Sequence, residues 1–157
     1  MFSYFKSPGK IRQAYTVAFY NLENLFDTKN DPNTLDDDFT PKGKKNWNNY
    51  RYKNKIRKLG NVIAQLGTQR SFYTPAIVGV VEVENKAVLN DLVASKNLKK
   101  HNYGIVHYDS PDERGIDVAL LYKKELFEVL HSETFPLYLE GKNGERDYTR
   151  DVLLVKG

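Results

Sequence analysis

The chain has 157 residues, a formal net charge of +4 and no cysteine. That length allows one domain burying roughly 70% of its unfolded surface, and the missing thiols exclude disulfides, thiolate metal sites and cysteine nucleophiles. The positive balance favours anionic partners without requiring them, and no apolar run suits a secretory signal or a membrane span, so the sequence as written reads as cytoplasmic with no membrane partner, export needing a leader already removed.

Residues 1–14 are polar, carry Pro8-Gly9 and read as a flexible lead-in to a domain over 15–157. The β-branched and aromatic run from Thr16 to Asn21 predicts a strand that delivers Asn21 to its end. There an asparagine can cap the next turn or partner a carboxylate from a neighbouring strand. From Leu22 to Asn48 the turn signals Asp31-Pro32-Asn33, Asp36-Asp37-Asp38 and Pro41-Lys42-Gly43 predict a long folded-back loop, and loops of this length are often functional. The three aspartates can bind a cation, but their spacing matches no calcium loop, and a solvated turn is the simpler reading. Trp47 can stack on a nucleobase or pin the loop to the body.

Tyr52, Ile56, Leu59, Ile63 and Leu66 recur at steps of three and four, which predicts an amphipathic helix over Asn49 to Leu66, stopped by Gly67. Its other faces carry Arg51, Lys53, Lys55, Arg57 and Lys58, with Lys42, Lys44 and Lys45 upstream and no acidic residue from Lys42 to Lys58. A run of one sign attracts a phosphate backbone, although a solvated face has the same composition. The aliphatic run Ala76 to Val83 predicts a strand covered on both faces in an α/β sheet. Glu82 and Glu84 would leave its carboxyl end on the same side, where ligand crevices form, and two carboxylates there suit a hard cation. Glu84 can equally serve the first turn of the following helix, with Asn85 as its N-cap.

That helix is expected from Lys86 to Leu98, with Val88, Leu89, Leu92 and Val93 inward. Further strands are expected at Tyr103–Tyr108, Ile116–Tyr122, Phe127–Leu130, Thr134–Leu139 and Asp151–Val155, with turns at 109–115 and 141–144, so the second half is strand-rich and antiparallel in character. His101, His107 and His131 form no metal-ligand spacing, and no nucleophile elbow, Walker loop or dinucleotide fingerprint occurs.

Taken in order, Val17 to Asp27, Asp38-Phe39-Thr40-Pro41, Trp47, Arg51-Tyr52, Glu82-Val83-Glu84-Asn85 and Arg114 to Tyr122 closely resemble a bacterial branch of the endonuclease/exonuclease/phosphatase family, the fold of pancreatic deoxyribonuclease. The resemblance implies an α/β (α+β) architecture, a two-sheet β-sandwich flanked by helices. It implies a divalent-metal-dependent phosphoesterase, above all a nuclease, using Mg2+ or Mn2+. The family's active-site asparagine falls on Asn21 and its glutamate metal ligand on Glu82, which makes both catalytic and metal-site candidates. Arg114 matches the branch motif, which assigns it no firm role, and is a candidate phosphate contact, and Arg51, Lys53 and Arg57 are candidates for nucleic-acid contact. The family's later motifs, an Asp-x-Asn and then a Ser-Asp-His beyond the strand that Thr149 to Val155 resembles, have no counterpart here, the one Asp-x-Asn triplet, Asp31-Pro32-Asn33, lying in the early loop. The expectation is therefore an amino-terminal portion of the domain, inactive alone, that self-associates or pairs with a missing carboxy-terminal half. The alternative is a noncatalytic nucleic-acid-binding or interaction fragment.

Overall fold

A computed structural model describes residues 14–71 and 73–157; the expected lead-in, apart from Ala14, lies outside them. Alternating aliphatic residues build the main sheet, whose order is β1-β2-β4-β3. β1 (Val17–Leu25) lies parallel to β2 (Ile77–Val83), while β4 (Asp117–Lys123) runs antiparallel to both β2 and β3 (Tyr103–His107). This topology brings the carboxyl ends of β1, β2 and β3 to one edge of the sheet together with the start of β4.

One face of that sheet is covered by helices. α1 (Asn49–Gln65) lays Tyr52, Ile56, Leu59 and Ile63 against it, and α3 (Lys86–Val93) adds Val88, Leu89 and Leu92, all packed on Val78, Val80, Val83, Ala119 and Leu121. A helical stripe of period 3.6 thus meets a strand face of period 2. Both helices start at asparagine caps, Asn85 as expected and Asn48 in addition, where Asn48 Oδ1 accepts from the Arg51 N–H and Asn85 Oδ1 from the Val88 N–H. α1 stops at Gly67, whose φ of 74° suits glycine, and one turn, α2 (Thr68–Ser71), follows.

α3 is shorter than its expected span to Leu98. The chain bends after Val93, and Ser95 passes so close to Gly60 that a Cβ there would lie 2.2 Å from the Ser95 hydroxyl. The bend still returns Leu98 to the core. The strand expected at Phe127–Leu130 is absent. Its first residue closes a turn by donating to the Lys123 carbonyl, and its ring packs edge-on against Tyr122. Strand structure starts instead at β5 (His131–Phe135), which ends before Pro136 because proline cannot donate to a ladder. β5 pairs antiparallel with β8 (Val152–Lys156) to form the second sheet. Between them β6 (Leu139–Glu140) and β7 (Arg146–Asp147) make a hairpin through residues 141–144, and the Arg146 guanidinium stacks on both Tyr138 and Tyr148 at 4.4 Å.

The architecture is α+β, with a helix-flanked mixed sheet facing a smaller one. The expectation that β2 is covered on both faces holds for one face only. Gly79 and Val81, with Phe19, Val118 and Leu120 beside them, look across a cleft of about 1000 Å³ towards β8. No helix among the described residues is long and apolar enough to cross a membrane.

Candidate active site

The ladder between β1 and β2 is regular up to Asn21↔Val81 and resumes at Leu25↔Val83, so β1 uses four residues where β2 uses two. β1 therefore continues past Asn21, which marks the end of regular pairing rather than the end of the strand. The extra length is taken up by Glu23 and Asn24 in left-handed conformations, with φ of 55° and 59°. Next to them the β2–β4 ladder steps from Val81↔Val118 to Val83↔Asp117, leaving Glu82 as a bulged residue with φ of 61°. Each such non-glycine conformation costs about 1–2 kcal/mol and persists only when its surroundings fix it. Bulges of this kind re-aim side chains beside active sites.

The double bulge is held by side chains. Asn21 Oδ1 accepts from the Glu23 N–H at 2.6 Å, and Glu82 Oε2 accepts from the Asn24 N–H at 3.0 Å. Lys55 Nζ, reaching over from α1, donates to the carbonyls of Glu23 and of Asn24, the latter at 3.2 Å. Asn21 and Glu82 are thus brought together through the backbone of one distorted segment. Burial lowers the Lys55 pKa, against the pull of the Glu23 and Glu82 carboxylates. Sequence reasoning passed over Lys55 as one cation among many. Its only distinguishing signal was its position four residues after Arg51, beside the apolar stripe.

Glu84 does more than precede a cap. Its N–H donates to the Leu25 carbonyl, and its Oε2 accepts from the Asp27 N–H at 2.5 Å, tying the loop after β1 to the start of α3. Burial pushes its carboxyl up to about 7; the Asp27 N–H opposes this, while the Asp27, Asp36 and Asp31 charges add to it. Asp36 departs from the solvated-turn reading, because it is buried and accepts from the Asp31 N–H at 3.1 Å, with burial raising its pKa. Asp37 and Asp38 are exposed as expected. Trp47 pins the loop, its indole N–H donating to the Phe26 carbonyl at 3.0 Å.

The other candidates are spread over the molecule. Arg51 faces the same side of α1 as Lys55 and donates to the Lys45 carbonyl. Lys53 and Arg57 are exposed elsewhere on the helix, and Arg57 donates to Asn54 Oδ1 at 2.8 Å. Arg114 lies in the turn before β4, where Nε and Nη2 each sit 3.3 Å from the buried Asp112 carboxylate while half of the side chain meets solvent.

One cluster corrects the reading of isolated histidines. His107 Nε2 lies 2.9 Å from Asp117 Oδ2, and Asp117 Oδ1 accepts from the backbone N–H and the hydroxyl of Ser110 at 2.9 and 2.6 Å. The His107 and Asp117 side chains are only 2% and 4% exposed, and Asp109 approaches His107 Nδ1 at 3.9 Å. His107, Asp109 and Asp117 offer three ligand atoms within 4.8 Å of one another, a grouping able to hold a metal ion. Asp117 pairs with Val83, next to the bulged Glu82, so the cluster shares the sheet edge with the double bulge. No local spacing announces it, because β3 and β4 bring these residues together only by pairing.

The donors fit divalent cations. Glu82 engages one carboxylate oxygen on Asn24 and leaves the other for an ion, and the Asn21 amide oxygen has a second lone pair beyond its bond to Glu23. Oxygen donors of these kinds suit Mg2+ or Mn2+, whereas the imidazole and two carboxylates of the His107 cluster suit Mn2+ or Zn2+.

Comparison with family models gives a match over residues 16–157 to the one described as the Endonuclease/Exonuclease/phosphatase family. Neither the curated proteins nor the solved structures return a match. The matched span takes in both bulged strand ends, the loop that Trp47 pins and the whole of the main sheet, and the chain belongs to the endonuclease/exonuclease/phosphatase family.

Proposed function

We propose that the chain is the amino-terminal portion, over residues 15–157, of a nuclease that hydrolyses phosphodiester bonds with Mg2+ or Mn2+. The family supports metal-dependent phosphoester hydrolysis in general. The observation that carries the site is Glu82, a carboxylate kept at a φ of 61° where the backbone alone would favour glycine. When bound, the cation polarises the phosphoryl oxygens and stabilises charge developing on them. Glu82 holds that cation. Asn21 fixes the bulge and offers its amide oxygen beside it. The Lys55 ammonium adds positive charge, and Arg114, anchored on Asp112, presents its exposed side to a phosphate. The open face of the main sheet is covered by self-association or by a carboxy-terminal half carrying the remaining catalytic groups.

A second reading has an observation of its own. The oxygens of Asn21 and Glu82 already accept from backbone N–H groups, so both residues can serve the fold while the chain merely binds nucleic acid. Glu82→Gln separates the readings, since the amide oxygen still accepts from Asn24 but the charge is gone. In the full-length gene product, turnover on plasmid DNA should fall at least about a hundredfold without a change in unfolding midpoint. Unchanged turnover at saturating Mg2+ would remove Glu82 from the metal site.

A further inference from the structure

We infer that a basic pocket flanking the double bulge binds a phosphate of the nucleic-acid strand other than the one being cut, so that the site prefers polynucleotides to isolated phosphomonoesters. This rests on the nuclease reading above. The pocket measures about 540 Å³, and its wall carries Lys45, Arg51, Lys55 and Lys58 against the single carboxylate of Glu23. Arg51, Lys55 and Lys58 follow one another at steps of four and three, which places them on one stripe of α1. Lys45 joins them from the preceding loop because Arg51 donates to its carbonyl.

Lys53 and Arg57 belong to the same uninterrupted basic run, yet neither lines this cavity. The helix therefore divides the run into a stripe that shares a concavity and residues that meet bulk solvent. Four cations against one carboxylate give this concavity a net positive field, which favours the entry of an anion. Two of the cations are already oriented, since Lys55 is tied to the Glu23 and Asn24 carbonyls and one arm of the Arg51 fork is fixed on Lys45. Arg51 retains further N–H groups for a planar, bidentate approach to phosphate oxygens.

Position supplies the second argument. Glu23 and Asn24 form part of the wall, and the Asn24 N–H bonds to Glu82. A phosphate held here thus sits beside the proposed metal carboxylate, as a neighbouring link of the same strand would. The volume exceeds what one hydrated inorganic ion needs, and Phe39 and Trp47 give an apolar flank suited to sugar or base.

Trp47 is the only tryptophan in the chain and lines the pocket, so its fluorescence reports on occupancy directly. We would titrate the protein in EDTA with an uncleaved single-stranded oligonucleotide and, separately, with inorganic phosphate. The expected result is a saturable change with the oligonucleotide, far weaker with phosphate, and a log affinity that falls linearly with log salt by about 0.7 in slope for each strand phosphate neutralised. Reversing Arg51 and Lys58 to glutamate should weaken binding at least tenfold and flatten the slope. Reversing Lys53 and Arg57, an equal change of charge, should weaken it less than threefold. Equal losses from both pairs, or no saturable change with the oligonucleotide, would overturn the pocket. Full turnover by Glu82→Gln with these binding effects intact would overturn the metal reading and leave the pocket standing. Glu82-dependent hydrolysis of a small phosphomonoester by a protein that binds no oligonucleotide would do the reverse.

Discussion

The two faces of the main sheet are built from the same strands yet end in different states. On the helix side Val78, Val80, Val83 and Leu121 are fully buried beneath α1 and α3, whereas on the other side Val17 and Phe19 are 70% and 72% exposed beside the cleft that β8 only partly closes. Residue type does not explain this, since both faces are aliphatic and aromatic. Burial follows from what lies opposite. Two amphipathic helices can cover a four-stranded face, while a sandwich face needs a sheet of matching width, and among the described residues the second sheet has two strands.

The contrast can be broken most directly by truncation. Leu89→Ala, in the helix-side core, should destabilise the chain by about 2–5 kcal/mol in urea unfolding, and Phe19→Ala by less than about 1 kcal/mol although it removes a larger side chain. Comparable losses would mean that the open face is packed in solution.

A smaller effect comes from the acidic cluster at the end of the helix side. The Glu84 carboxyl titrates at about 7 in the folded chain against an ordinary 4.5, so between these values the folded state holds the proton that the unfolded state has released. Stability from this group is complete at pH 4.5, falls as pH rises through that window and levels off above it, by on the order of 1–3 kcal/mol. Asp36 is raised too and adds a slope of the same sign. Glu84→Gln should flatten most of the dependence when urea midpoints are compared at pH 5 and 7.5; an unaltered slope would place its origin elsewhere.

The smallest effect sharpens the comparison from the open side. Phe19→Lys should shift an associating chain towards monomer by light scattering, with an association constant reduced several-fold, as expected when one exposed aromatic leaves an apolar contact. A wild-type chain that is monodisperse and monomeric would show that this face needs no cover.

How far the sequence reveals these features depends on how local they are. α1, β2 and β4 could be read because an apolar period or run specifies each, and the Asn85 cap could be read because it precedes such a run, whereas the Asn48 cap was passed over. The segment 127–139 misled because Phe127, Leu130 and Leu137 look strand-like while the chain spends Phe127 on a turn and Pro136 on ending β5. Of the candidate site, Asn21 and Glu82 were proposed from the family resemblance, and the structure places both at the double bulge. Their left-handed neighbours were not, since Glu23 and Asn24 carry no glycine to announce a positive φ. His107 and Asp117 meet only across the β3–β4 pairing, and Lys55 reaches the bulge only once α1 has docked. Contacts made by tertiary pairing leave no period in the sequence.

The register of the main sheet also bears on the order in which function is lost. β3 and β4 pair residues as close as His107 and Ala119, twelve positions apart, whereas the β1–β2 ladder opens with Val17 and Ile77, sixty apart. Closing the longer loop costs more entropy, and among the described residues β1 is an edge strand that pairs with β2 alone. The double bulge that brings Asn21 and Glu82 together exists only while β1 is zipped to β2. Mild denaturant or warming that frees this one strand would undo the double bulge while the β2–β4–β3 body persists, so the candidate site and the global fold need not melt as one cooperative unit.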